Sequence, residues 1–455
     1  MENEITPHQH KKFRVSPIGK IALSFIAVIL IGSLLLLLPI SNVNGKVASY
    51  INSLFTSTSA VCVTGLSAVD ITSFTLFGQI VIMLLIQVGG LGFMTVISLI
   101  FIFAGKRITL KDRLVMQEQY SQNGLSGLIR TTKKIVVVTF VCEGIGAILL
   151  MVAFLIEGIG FWDSFFYGMF DSVSAFCNAG LSLVKAGSLP SLESYYSNVI
   201  VCVTIMAEII IGGIGFIAII DIGKNRHWRK ISYQTKGILL STAALILFGA
   251  LVTGISEWNN ADTIGNMTVG EKIMSCFFQS VTARTAGFAT VDQSKLFGGA
   301  QASTILLMFI GASPSGTGGG VKTISLLILL FTFRSGAVGD EEVVVHERKI
   351  NNKIIVKVIS LIALALTTIM FSVILIALFE SGNPNISLAS IEFECVSAYG
   401  TVGLSYGITP LLSVPSKIVL IVEMYLGRLS ILVIGLFHKG SQQANIRYID
   451  EKISL

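Results

Sequence analysis

The chain has 455 residues, 53% of them hydrophobic and only 13% charged, about half the charge of an ordinary soluble domain. A mean hydropathy of +0.80 leaves too few polar residues to cover a water-facing globule of this size, and it excludes a disordered chain. The composition is that of an all-α polytopic membrane protein, and the net charge of +6 is modest.

Residues 1–17 are short and basic at Lys11, Lys12 and Arg14 and read as a cytoplasmic N-terminus. The apolar run 21–40 follows, and about 20 residues suffice to span a bilayer. It carries no small-residue cleavage site and reads as a retained helix. Seven further segments are candidates to cross, 74–104, 135–156, 199–222, 237–255, 303–333, 358–379 and 418–437, making eight transmembrane spans. Within each successive pair lies a moderately apolar stretch: 47–60, 162–175, 268–282 and 385–398. At 1.5 Å per residue each reaches about 20 Å, short of a crossing. These stretches are expected as re-entrant half-helices, tolerated where protein or water surrounds their ends.

Of the 32 Lys and Arg residues, 24 lie in the N-terminus, the loops 104–134, 222–236 and 333–357, and the tail beyond Phe437. That side is expected to be cytoplasmic, with both termini on it. The loops carrying the half-helices hold Asp70, Glu157, Asp163, Glu193, Glu257, Asp262, Glu271, Asp292, Glu380, Glu392 and Glu394. An acidic outer face of this kind raises the local concentration of cations. Six cysteines (Cys62, Cys142, Cys177, Cys202, Cys276, Cys395) show no C-x-x-C and no His cluster, so neither a disulfide scaffold nor a zinc site is indicated.

Each half-helix runs into a glycine turn: SAVCVTGLS from Ser59, SAFCNAGLS from Ser174, VTARTAGFA from Val281 and SAYGTVGLS from Ser397. Gly65, Gly180, Gly287 and Gly403 fall in one column, separated by 115, 107 and 116 residues. A second column holds Gly89, Gly212, Gly311 and Gly427, at 24, 32, 24 and 24 residues from the first. The chain therefore reads as four tandem helix, half-helix, helix repeats in one orientation, at 18–104, 131–222, 236–334 and 354–438, with a cytoplasmic tail at 439–455.

Four like units are expected to surround a pseudo-fourfold central pore, with the negative C-terminal ends of the half-helices aimed at the axis. The carbonyls of the turns would then replace the water shell of a dehydrated cation, and glycine brings no Cβ to crowd it. The expected filter is Cys62, Val63, Thr64 and Gly65; Cys177, Asn178, Ala179 and Gly180; Arg284, Thr285, Ala286 and Gly287; and Gly400, Thr401, Val402 and Gly403. Arg284 is expected to brace the third turn through hydrogen bonds. The competing explanation, glycines that only let helices pack closely, accounts poorly for four copies in register.

The pattern resembles the Trk/Ktr/HKT superfamily of potassium transport proteins, and within it the KtrB-type bacterial uptake subunits. The resemblance covers nearly the whole chain and is carried by TSTSAVCVTGLS, FDSVSAFCNAGLS, FQSVTARTAGFATVD, SAYGTVGLS and the glycine-rich loop at 311–323. It implies potassium uptake across a bacterial plasma membrane, with K+ bound at the filter only and no organic cofactor on this chain. Glycine in all four filter positions goes with potassium, whereas a serine in the first is associated with sodium permeation; a dependence on Na+ stays open. The resemblance also implies a homodimer and a cytoplasmic KtrA-type nucleotide-binding ring that moves the gate, with 106–134, 340–353 and 441–455 as contact regions. No nucleic acid partner is expected.

The sixth span is interrupted by GASPSGTGGGVKT, which cannot hold a regular helix. Gly311, Ser313, Ser315, Gly316, Thr317, Gly318, Gly319, Gly320 and Lys322 are expected to line the pathway below the filter, and the resemblance implies that this loop is the gate. A nucleotide-binding P-loop is the rival reading, but Val321 stands where the glycine before Lys322 is required. Arg428 aligns with Gly90, Gly213 and Ala312. An arginine inside a span is functional by default, and it is expected either to project beneath the filter as part of the barrier or to pair with Glu143, Glu208 or Glu423. Two other functions were weighed, an alternating-access cation symporter and a membrane enzyme. The first is usually built from inverted or twofold repeats, and the second finds no catalytic cluster here.

Overall fold

The computed structural model describes residues 17–45, 47, 49–92, 95, 128–186, 189–190, 192–225, 227–340, 342–345 and 348–429. The expected N-terminal tail and C-terminal tail, and most of the 104–134 loop, lie outside them. Fourteen α-helices account for most of the described chain: α1 Pro17–Leu37, α2 Tyr50–Cys62, α3 Leu76–Leu91, α4 Leu128–Ile156, α5 Phe161–Cys177, α6 Val199–Ile214, α7 Phe216–Lys224, α8 Tyr233–Glu257, α9 Val269–Thr282, α10 Gly298–Phe309, α11 Thr323–Val338, α12 Asn352–Phe379, α13 Leu388–Gly400 and α14 Val414–Leu429. Two hairpins of two-residue strands complete it, Lys185–Ala186 with Leu189–Pro190 and Val344–Val345 with Arg348–Lys349.

Several helices start where short polar side chains satisfy their free N–H groups. Thr75 accepts from Gly78, Asn198 from Val201 and Ser232 from Thr235, while Thr268 and Glu271 form a reciprocal capping box at α9. α1, α4, α8 and α12 are long and apolar enough to cross a membrane. Their outward faces carry Ile31, Ile148, Ile255 and Met370, all exposed. The interior, by contrast, holds fully buried Ser57, Ser59, Ser172, Ser174 and Ser397. Apolar outside and hydroxyl-rich inside is the inverse of a water-soluble core.

The short helices α2, α5, α9 and α13 have 13, 17, 14 and 13 residues. Their positions match the half-helix stretches read from the sequence to within a few residues. Each packs against the long helix before it: α2 on α1, α5 on α4, α9 on α8 and α13 on α12. Each also packs against the helix that follows the preceding glycine turn: α5 on α3, α9 on α6, α13 on α10, and α2 on α14. The succession of neighbours closes on itself, the last helix meeting the first short one.

Two expected spans are not single helices. Residues 199–222 form α6 and α7 with a 92° bend between them, and α3 ends at Leu91 with Gly92 as its cap, most of the remainder of the expected span 74–104 lying outside the described residues. The cause is a glycine in each case: Gly215 has φ 98 and Gly92 φ 80, a region that L side chains reach only with strain. Gly92 and Gly215 each stand three residues beyond the second glycine column, and Pro314 holds that place in the interrupted segment. The sequence therefore carried the signal as a third column. The expected interruption at 311–323 is present, with α10 ending at Phe309 and α11 beginning at Thr323. The last expected span, 418–437, is described only as far as Leu429.

Candidate ion pathway and its closure

Three of the short helices end alike. Val63, Asn178 and Thr401 are left-handed C-caps at φ 57, 62 and 51, and Thr285 takes φ 73 beyond the end of α9. This turn halts the helix, and the chain beyond it leaves at an angle. Buried serines hold the new course: Ser59 Oγ accepts from Gly65 N–H, Ser174 Oγ from Leu181 N–H and Ser397 Oγ from Gly403 N–H, each at 3.0 Å. In the third turn Val281 replaces the serine, and Thr282 does the bracing by donating to the Phe288 carbonyl at 2.6 Å.

The four turns meet. Beside Gly65 lies the carbonyl of Ala179, beside Gly180 that of Ala286, beside Gly287 that of Val402, and beside Gly403 that of Thr64. A Cβ built on Gly180 would stand 2.7 Å from Gly287 Cα, and one on Gly403 would stand 2.8 Å from Gly65 Cα. All four glycines have positive φ, between 68 and 97. No other residue fits there, both for space and for backbone angle. Among the described residues, no carbonyl oxygen of 62–65, 177–180, 284–287 or 400–403 accepts a hydrogen bond from the protein. A buried ring of peptide oxygens with no partner among the described residues has the chemistry to take a cation, because each such oxygen is otherwise costly to bury.

A cavity of about 420 Å³ opens above the ring, and all four glycines line it together with Glu193 and Asp292. These two belong to the expected acidic face. Three others of that group do not look outward. Glu257, Glu380 and Glu394 are buried and accept hydrogen bonds, Glu257 from Phe297 N–H at 2.8 Å and Glu380 from Ser413 and Ser416 hydroxyls at 2.6 Å. They tie loops to helix ends, and reading every loop carboxylate as part of a solvent field overcounts them.

Directly below the ring lies the 311–323 loop. Gly319 N–H donates to Thr401 Oγ1 at 2.9 Å, and Thr317 Oγ1 donates to the Phe176 carbonyl at 3.1 Å. Ser313 N–H reaches Gly213 O at 3.0 Å, and Gly320 N–H reaches Gly427 O at 3.3 Å. A Cβ on Gly318 would collide with the Thr285 side chain. Inside the loop, Gly311 N–H bonds Val321 O at 2.8 Å, the Ser313 and Thr323 hydroxyls pair at 2.9 Å, and Lys322 Nζ bonds Gly318 O at 2.7 Å. Ser315 O accepts from Phe216 N–H at 3.1 Å, and Gly316 N–H bonds Ser313 O. With Lys322 committed to its own loop and apolar helices on both flanks, a nucleotide P-loop does not fit.

Arg428 joins this closure. Its guanidinium donates to the carbonyls of Thr317 and Gly89. Among the described residues, no ion pair with Glu143, Glu208 or Glu423 forms. Glu143 instead accepts from Gln87 at 3.0 Å, and Glu208 accepts from the Ser172 hydroxyl. Arg284 departs from expectation. It braces nothing in the third turn, its Nε has no partner, and it lies in a small pocket with Ile210, Thr242 and Ala312. A long side chain anchored on a tight turn cannot curl back onto its own carbonyls, so it extends behind the ring.

The glycine columns thus divide in purpose. Gly89, Gly212 and Gly427 press against the carbonyls of Val61, Phe176 and Tyr399 and serve close helix packing. The first column alone lines the ring. Sequence reasoning missed Asp171 and assigned Glu394 to the acidic face, yet both are buried just behind the turns; their shared place, nine residues before a ring glycine, was the available signal.

The family model described as "TrkH: Cation transport protein" matches residues 6–447. The chain is 37% identical to the Ktr system potassium uptake protein B of Bacillus subtilis over 97% of both chains. It is 35% identical to the potassium/sodium uptake protein NtpJ of Enterococcus hirae over 97% of this chain and 98% of that one. In fold it is similar to the crystal structure of the potassium transporter TrkH from Vibrio parahaemolyticus, at a TM-score of 0.72 and 17% identity, covering 96% of this chain and 87% of that one. The chain belongs to the TrkH family of cation transport proteins.

Proposed function

We propose that this chain is the ion-translocating subunit of a potassium uptake system in a bacterial plasma membrane. It is built as four repeats around one pore, with eight spans and both termini cytoplasmic. One observation carries the reading: the four glycine turns meet in cyclic order, and among the described residues their carbonyls accept no hydrogen bond. Such a ring has the right chemistry for a monovalent cation stripped of water. The names of the relatives, potassium uptake and potassium/sodium uptake, support K+ as cargo.

The loop at 311–323 and Arg428 form the gate. The loop lies across the path below the ring and is held by hydrogen bonds to three of the four repeats, directly or through Arg428. Bonds of this strength, each worth about 1 kcal/mol net, can be exchanged by a modest push. A cytoplasmic nucleotide-binding ring acting on a homodimer would supply it, and the hairpin Val344–Val345 with Arg348–Lys349 offers one contact. The other two expected contact regions fall largely outside the described residues.

The test is growth of a bacterial strain lacking its own potassium uptake systems on limiting K+, with and without this chain. Rescue is expected, together with K+ uptake that exceeds Na+ uptake in vesicles. Failure of rescue by protein that reaches the membrane, or equal uptake of both ions, overturns the reading.

A further inference from the structure

The ring is fourfold in backbone but not in what stands behind it. Nine residues before the ring glycines the chain holds Thr56, Asp171, Phe278 and Glu394, and two residues after them Ser67, Ser182, Ala289 and Ser405. Only the second and fourth repeats pair a carboxylate with a serine at these places. The pairs are made: Ser182 Oγ donates to Asp171 Oδ2 at 3.1 Å, and Ser405 Oγ donates to Glu394 Oε1. Each serine oxygen in turn accepts a backbone N–H two residues on, from Val184 at 3.1 Å and from Gly407 at 2.8 Å. Thr409 Oγ1 adds a bond to Glu394 at 3.2 Å. Asp171 is 0% and Glu394 1% exposed, and among the described residues neither forms an ion pair.

The other two repeats lack the device. Among the described residues Thr56 Oγ1 has no partner, the Phe278 side chain has no polar atom, and Ser67 bonds its own neighbour, the Val69 carbonyl. The cyclic order places the second and fourth repeats across the axis from each other. The helices after the turns repeat the alternation, with Leu85, Glu208, Leu307 and Glu423 each four residues before the second glycine column.

From this we infer that Asp171 and Glu394 are positioning residues for the outer end of the filter, acting through Ser182 and Ser405 on two opposite walls. The strand leaving each of those turns is pinned one link from a buried carboxylate, so the carbonyls of Gly180 and Gly403 hold their spacing when an ion arrives. The walls built from the first and third repeats have no such carboxylate link and are held by Ser59 and by Thr282, so they adjust more readily. The outer cation site is therefore twofold in stiffness, and its ion preference is set by the second and fourth repeats. The inference rests on the potassium-filter reading above.

The experiment uses the full chain in vesicles and measures KM and maximal rate for K+, together with discrimination against Na+. Ser182→Ala and Ser405→Ala are each expected to raise KM or lower discrimination about fivefold, the effect of a lost hydrogen bond of about 1 kcal/mol, at little change in maximal rate. Adding Asp171→Asn to Ser182→Ala, or Glu394→Gln to Ser405→Ala, is expected to change nothing further. Thr56→Val in the first repeat is expected to leave both quantities as they were. Unaltered KM and discrimination in both serine variants overturns the inference, as do additive effects within a pair or an equal change in Thr56→Val. The serine variants decide the matter even where the carboxylate variants fail to fold. A wild-type chain without K+ preference overturns the filter reading itself, whereas wild-type preference with unaltered serine variants overturns only this one.

Discussion

The guanidinium of Arg428 donates to the carbonyl oxygen of Thr317, so the last described helix holds the loop that lies across the pathway. Its second bond, to the Gly89 carbonyl, anchors the same side chain on the first repeat. The arginine is a clasp as well as a positive charge beneath the ring, and in the proposed gate both properties would oppose passage of a cation.

Arg428→Gln removes the charge and leaves an amide too short to reach both carbonyls. K+ flux into vesicles is expected to rise severalfold, with regulation weakened. Flux equal to the wild type, at equal protein, would count against a barrier role.

Thr401→Val preserves shape and deletes the oxygen that accepts from Gly319 N–H at 2.9 Å. The loop is held about 1 kcal/mol less firmly, and basal leak is expected to increase about fivefold while K+ preference is kept. Loss of preference without added leak would place the role of this hydroxyl in the filter instead.

At the ring, Gly403→Ala forces a Cβ against the Thr64 carbonyl at a φ of 97. Potassium-dependent growth is expected to disappear. Gly65→Ser, at φ 96, is expected to spoil discrimination between K+ and Na+ and is read out by competitive uptake of the two ions. Retained K+ preference in that variant would remove Gly65 from the filter.

Glu380, just beyond the end of α12, gives a pH test away from the pathway. Burial pushes its carboxyl up, but the hydroxyls of Ser413 and Ser416, the Ser413 N–H and the charge of Lys417 more than reverse this, leaving it below its ordinary value. A depressed carboxylate stabilises the fold above its unfolded pKa, about 4.3 for glutamate, and that contribution is lost as pH falls through the folded value. Glu380→Gln is expected to lower the melting temperature at pH 7 and to differ little from the wild type well below pH 4. A gap of the same size at both pH values would contradict the linkage.

Much of this fold could be read from the chain because apolar spacing and glycine columns are local signals. The four half-helices, the interruption at 311–323 and the coincidence of Gly65, Gly180, Gly287 and Gly403 all follow from residue type and interval. The helix end at Gly92 and the bend at Gly215 are hidden because hydropathy runs through them without a break; only the alignment of a third column exposes them. Arg284 was misjudged because a side chain's direction depends on the space around it, and the pocket beside Thr242 is made by residues distant in sequence. Glu394 looked like a surface charge, since nothing local announces that Ser405 and Thr409 fold back over it.

Because each glycine of the ring leans on the carbonyl of the next turn and Gly403 leans on Thr64, the circle has a seam between the earliest and latest parts of the chain. During synthesis the first three turns must wait, with one side uncovered, until the fourth arrives. If the ring is the filter proposed above, ion discrimination is acquired in a single final step of assembly, and a nascent chain halted before residue 403 is expected to have none of it in partial measure.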